Sequence, residues 1–268
     1  MSKICFITAI YGNYETSCKK FATQTVPTDF ICFTDNPNIL KNGWLIDTTP
    51  HHISNPCKFD DGSYVNSMCN NFHTFNIAKY YKQSFQRIPI LWKYDVIVWL
   101  DGTLEITCNT TSEYLLSHIH AKKIIGWHHE MRYGKLIEEA QASVNFFRYS
   151  STFWNGQHQP YQDVATQFNE YMDEGYNEAA FNRETAHTPH MGVWITCFVA
   201  FSNKDPEVTK FLDLWYLQTL KYTTQDQIGF PYVCQKLNMI PYTLPNKDVP
   251  GDYPHVMTRF YIKHDHHK

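Results

Sequence analysis

The chain has 268 residues, 43% hydrophobic and 16% aromatic, enough apolar material for one large core and too much for a disordered segment. Its 23 basic and 26 acidic side chains give a formal charge of -3 and lie scattered, so no polybasic stripe can neutralise a nucleic-acid backbone, and nucleic acid is not the expected partner. No stretch has membrane-spanning length, the first residues read as a strand rather than a signal peptide, and the eight cysteines hold no C-x-x-C pair. These features predict a soluble protein of the cytoplasm.

The apolar run Ile4 to Ile10 predicts a first strand ending in Tyr11-Gly12-Asn13, and Phe30 to Thr34 a second ending in Asp35-Asn36-Pro37. If the two pair in parallel, their carboxyl ends meet at one sheet edge. There Thr8 and Tyr11 would face a base or ribose, and Asp35 would accept from a uracil N–H or ribose hydroxyls. Asp35 also suits a simple Asx turn before Pro37. A helix is expected over Met68 to Tyr81.

The most informative stretch is YDVIVWLDGTLEI, Tyr94 to Ile106. Its continuous apolar run predicts a strand covered on both faces, and Gly102 permits a sharp turn just after Asp101. An aspartate at the carboxyl edge of an open α/β sheet suits a divalent cation that also binds phosphate oxygens. The competing reading is a tight hairpin from this strand into Leu104 to Thr107. Thr103 either reaches the metal through water, bonds a ribose hydroxyl or is a plain strand residue, and Glu105 is a reserve ligand.

A helix over about Ser112 to His118 and a strand Lys123 to Trp127 follow. His128, His129 and Arg132 then leave the sheet at the same edge as Asp101 if the strands are parallel, and so would line a ligand pocket there. Zinc is disfavoured there, because adjacent histidines lack the i, i+4 spacing. Further helices are expected in the second half of His128 to Phe147, over Asp163 to Met172, over Pro206 to Tyr222 and over Gln225 to Leu237, with a strand from Gly192 to Phe201 between them. Strands alternating with helices predict an α/β fold: one domain, Rossmann-type, with a mostly parallel central sheet flanked by helices.

Four blocks carry a family resemblance: Lys79 to Ile106, Gly126 to Ala142, Glu170 to Tyr176 and Asp205 to Leu237. With them the chain resembles the glycosyltransferase-like TOD1/MUCI70 family, first catalogued as the uncharacterised domain DUF616, whose members are plant, bacterial and viral. The resemblance implies a GT-A-like domain over 1–268, with a nucleotide- and metal-binding part over 1–107, an acceptor-side part over 108–245 and a tail over 246–268. It further implies transfer of a hexose or deoxyhexose from a nucleoside diphosphate sugar, UDP-linked by preference, to a glycan acceptor.

By the same resemblance, Mn²⁺ or Mg²⁺ would sit on Asp101 and Thr103, with His264 of the tail as a further ligand by analogy with GT-A enzymes. Lys82 and Arg87 fall where the family carries basic residues beside the diphosphate, although isolated basics are usually solvated. Glu139, rather than Glu138, would face inward. Asp226 and Gln227 match the family's Arg-Asp-Gln, with Gln225 in place of the arginine. Transfer with inversion needs a carboxylate base, and Asp226 and Glu139 are the candidates. Asp226 also suits a capping box between Thr224 and Gln227. A nucleotidyltransferase and a non-catalytic carbohydrate-binding protein are the alternatives. The first is weakened by a single glycine in Ile10 to Asn13.

Overall fold

The computed structural model describes residues 2–50, 74–146, 153–154, 157–158, 163–184, 192–245 and 255–266. The opening of the helix expected from Met68 lies outside the described residues. Eleven strands are described: β1 Ile4–Ile10, β2 Thr28–Thr34, β3 Leu45–Asp47, β4 Val96–Leu100, β5 Leu104–Ile106, β6 Ile124–His128, β7 Phe153–Trp154, β8 Gln157–His158, β9 Trp194–Ser202, β10 Tyr242–Leu244 and β11 Tyr261–Lys263. The helices are α1 Thr74–Gln83, α2 Thr111–Lys122, α3 Leu136–Asn145, α4 Val164–Asp173, α5 Pro206–Lys221 and α6 Asp226–Lys236. None is long and apolar enough to cross a membrane.

Seven strands form the central sheet in the order β10-β6-β9-β4-β1-β2-β3. Only β9 breaks the parallel pattern, running antiparallel to both β4 and β6. The mostly parallel α/β sheet is therefore the one the sequence predicts. Alternation along the strands divides the core in two: Ile97 and Trp99 of β4 pack with the α1, α5 and α6 side, Val96, Val98 and Leu100 with the α2 side. Both faces are covered, which is why the strands read as unbroken apolar runs.

Chain order also places a crevice at one edge of the sheet. From β1 the chain moves to β2 on one side and later returns to β4 on the other, so the ends of β1 and β4 form the crevice of a topological switch point. Because β4 and β6 are both antiparallel to β9, they point the same way, and their carboxyl ends reach the same edge.

The hairpin reading of Asp101-Gly102 is overturned. The Leu104 N–H donates to the Asp101 carbonyl at 2.9 Å to close a tight turn, but β5 then leaves β4 and pairs antiparallel with β11. Gly102 does not adopt a left-handed φ. Its requirement is closeness, since a Cβ there would meet Ile10 at 3.2 Å. The capping box is overturned too. The N-cap of α6 is Gln225, whose side chain does not cap the helix, and the Thr223 hydroxyl accepts from the Gln225 N–H at 3.0 Å. By contrast, α5 starts as expected, with Pro206 in its first turn and the Asp205 carboxylate accepting from the Glu207 N–H.

Candidate functional site

Two cavities open side by side at the carboxyl edge. The first, about 150 Å³, is walled by Tyr11, Tyr14 and Glu15 after β1, by α1 and by the turn after β4. The second, about 620 Å³, lies between β9, α3 and the start of α6, and includes His129, Arg132, Glu139, Gln225 and Gln227. Four residues line both: Lys79, Asp101, Lys263 and His266. They mark the junction.

Asp101 sits at that junction with 42% of its side chain exposed. Its Oδ1 accepts from Trp99 Nε1 at 2.7 Å and lies 3.8 Å from Lys82 Nζ. Burial alone would raise this carboxyl. The ammoniums of Lys82 and Lys79 and the indole N–H outweigh it and hold the group below the ordinary carboxylate range, ionised at neutral pH.

Beneath Asp101 lies a buried charge cluster. Asp226 Oδ2 accepts from Lys82 Nζ at 2.7 Å and from Lys79 Nζ at 2.9 Å, while Oδ1 accepts from Thr196 Oγ1 at 2.7 Å. The two lysines are three residues apart on α1 and so share one helix face. Burial opposes ionisation of Asp226, but the two lysines and its hydrogen bonds bring it to about 2. Lys82 is 1% exposed, its ammonium between the faces of Trp99 and Trp215, and burial lowers it against the pull of Asp226. A charge so enclosed persists only because it is paired.

On the far wall, Glu139 is buried and Glu138 is exposed, so the helix turns the expected acid inward. Glu139 accepts from Arg132 Nε at 2.6 Å, Gln225 Nε2 at 2.7 Å and Ser143 Oγ at 3.4 Å. Gln227 braces β9 by accepting from the Thr196 N–H at 3.2 Å. His129 is 6% exposed, and burial, followed by the charge of Arg132, pushes its imidazole down to about 3. It is neutral, and its Nδ1 has no partner among the described residues.

Other expected residues stand elsewhere. Thr8 is buried within β1 and lines neither cavity. The Asp35 carboxylate accepts from the Gly12 N–H at 3.1 and 3.2 Å, tying the end of β2 to that of β1, while the Asx turn beside it belongs to Asn36, whose Oδ1 accepts from the Asn38 N–H. Tyr11 donates to Tyr81 Oη at 2.7 Å and stacks on that ring. Arg87 pairs with Asp213 at 2.8 Å on the surface, outside both cavities. His128 Nδ1 is 3.1 Å from the Leu244 carbonyl and lines neither cavity.

Thr103 is 2% exposed at the edge of the first cavity. His264 reaches the second cavity but turns its Nε2 to Glu105 at 2.8 Å. Among the described residues, no group of three or more His, Cys, Asp or Glu side chains is arranged to hold a metal. The tail also brings residues that sequence reasoning missed: Lys263, and His266, whose Nδ1 is 2.6 Å from the buried Glu15. Lys79 and Thr196 were missed as well. The i, i+3 spacing from Lys82 was the available signal for Lys79, and Thr196 had none.

The TOD1/MUCI70 glycosyltransferase-like domain model matches residues 82–247, more than half of the chain. The chain belongs to this family. The matched span of this TOD1/MUCI70 member includes Lys82, Asp101, Glu139 and Asp226. Lys79, Tyr11 and the tail fall outside it. No curated protein matches the chain. Among solved structures, the apo form of the WbbM bifunctional glycosyltransferase aligns with a TM-score of 0.43 at 12% identity, covering 90% of this chain and 38% of that chain. That likeness is too remote to transfer chemistry, and this chain spans well under half of that protein's length.

Proposed function

We propose that this protein transfers a sugar from a nucleoside diphosphate donor to a glycan acceptor, with the nucleoside in the first cavity, the sugar and acceptor in the second, and the diphosphate across the junction. The observation that carries this reading is the sharing of Lys79 and Asp101 by both cavities. The nucleoside walls are Tyr11 and Tyr14, whose rings offer stacking surface. UDP-linked sugars are the first donors to test. The leaving diphosphate gains negative charge as the glycosidic bond breaks, and Lys79, held in place by Asp226, lies where that charge develops.

For a divalent cation the junction fits in its simplest form. Asp101 is ionised and half-exposed, and a hard cation bound partly by phosphate oxygens asks for only one or two carboxylates. Asp101 would hold it, and Thr103 and His264 stand near the same turn. Mn²⁺ or Mg²⁺ bound there would neutralise charge on the diphosphate oxygens. For the acceptor's proton, Glu139 is assigned the base role. Asp226, paired with two lysines and held near 2, is assigned to hold them.

The test is hydrolysis of a panel of nucleotide sugars with and without Mn²⁺, with release of nucleoside diphosphate as the readout. Slow, metal-stimulated release from at least one donor is expected, cut by roughly a hundredfold in Asp101→Ala. Unchanged release in that variant, or turnover indifferent to metal, would contradict the assignment.

A further inference from the structure

The other lysines and the arginine lining the second cavity each have an acidic partner from the protein itself: Lys79 and Lys82 share Asp226, and Arg132 pairs with Glu139. The ring nitrogens of His255, His264 and His266 likewise face the carboxylates of Glu130, Glu105 and Glu15. Lys263 lines both cavities, yet among the described residues it makes no ion pair. Its place in the wall is nonetheless fixed by main-chain bonds. In β11, Lys263 stands opposite Leu104 of β5, its N–H donates to the Val256 carbonyl at 2.8 Å, and the next N–H, of His264, donates to the Thr103 carbonyl at 2.9 Å. The tail therefore pairs with the strand that follows the Asp101 turn and delivers an uncompensated ammonium to the junction.

We infer that Lys263 binds the diphosphate of the donor, so that the last described strand completes the donor site and supplies the charge the cavity leaves unmatched. This rests on the nucleoside diphosphate reading of the site and assigns a residue that lies beyond the segment matched by the family. An ammonium without a protein partner gains most from an incoming phosphate, because no existing ion pair has to be given up. The protein–phosphate bond replaces water alone. His264 and His266 flank it as positioning residues, through Glu105 and Glu15.

The experiment compares wild type, Lys263→Gln and Lys263→Arg by calorimetry with UDP, GDP, ADP, their nucleosides and inorganic pyrophosphate. The side chain is exposed and the strand is paired through its backbone, so the substitutions leave the fold intact, which melting checks. The expected result is at least one diphosphate bound by wild type, about tenfold or more weaker in Lys263→Gln, recovered in Lys263→Arg, with nucleoside affinity unchanged. Equal diphosphate affinity in wild type and Lys263→Gln overturns the inference and leaves the proposed function standing. Loss of nucleoside and diphosphate affinity together also overturns it. Failure of wild type to bind any diphosphate removes both.

Discussion

Replacing Asp226 with Asn keeps the shape of the side chain and removes the charge that Lys79 and Lys82 share. Asp226 is 3% exposed and Lys82 1%, so the substitution strands an ammonium in the interior. Removing one partner of a buried pair costs about 3–5 kcal/mol. A second route gives a smaller figure of the same order: the carboxyl is held at about 2 against its ordinary 3.8, which corresponds to about 2 kcal/mol of pairing free energy. Asp101, 3.8 Å from Lys82, compensates in part and keeps the loss at the low end. A destabilisation of about 3 kcal/mol lowers Tm by roughly 6 °C or more in a chain of this size. A carboxyl depressed by folding lends stability that is complete above its unfolded value and is lost as pH falls through the folded one. The gap in Tm should therefore be level from about pH 7 to 5 and narrow below about pH 4. Adding Lys82→Met, which removes the stranded charge at similar volume between Trp99 and Trp215, should recover much of the loss. A gap under about 1 °C at pH 7, or no recovery in the double variant, would refute this account of the cluster.

Two further outcomes follow from the same electrostatics. His129 titrates at about 3 in the fold and near 6.5 when unfolded, so its contribution is full above about pH 6.5 and is lost as pH falls toward 3. His129→Gln should flatten the acid-side stability profile by up to about 1.4 kcal/mol per pH unit, and an equal loss of unfolding free energy between pH 6 and 4 in wild type and variant, from denaturant titrations, would reject the buried neutral imidazole. Arg87→Ala should cost less than about 1 kcal/mol and leave nucleotide affinity untouched, because its pair with Asp213 is half-exposed on the surface. A tenfold loss of affinity would return Arg87 to the site.

The architecture was legible because its signals are local. Strands covered on both faces must be apolar throughout, so β1, β2 and β4 stand out as runs. Pro206 after Asp205 and the acid after Leu100 mark where elements begin and end. Strand direction then placed Asp101 and the segment after β6 at one edge. The inward turn of Glu139 was read from the family pattern, and a helix with one buried stripe admits only one of two adjacent acids.

Sequence alone thus determined the α/β sheet and the edge of it that Asp101 reaches, and it singled out Asp101, Glu139 and Asp226 as candidate site acids. The tertiary structure decided what those acids touch. Asp226 meets Lys79 across 147 positions, and Glu15 meets His266 across 251, and no periodicity encodes partners at such separations. It also decided that β5 abandons β4 for the carboxyl-terminal β11, and so brought Lys263 to the junction of the two cavities. Periodicity reports which face of an element is buried. Which charges meet there is set only when elements distant in the chain pack together, because a buried ion must find its counter-ion wherever the fold provides one.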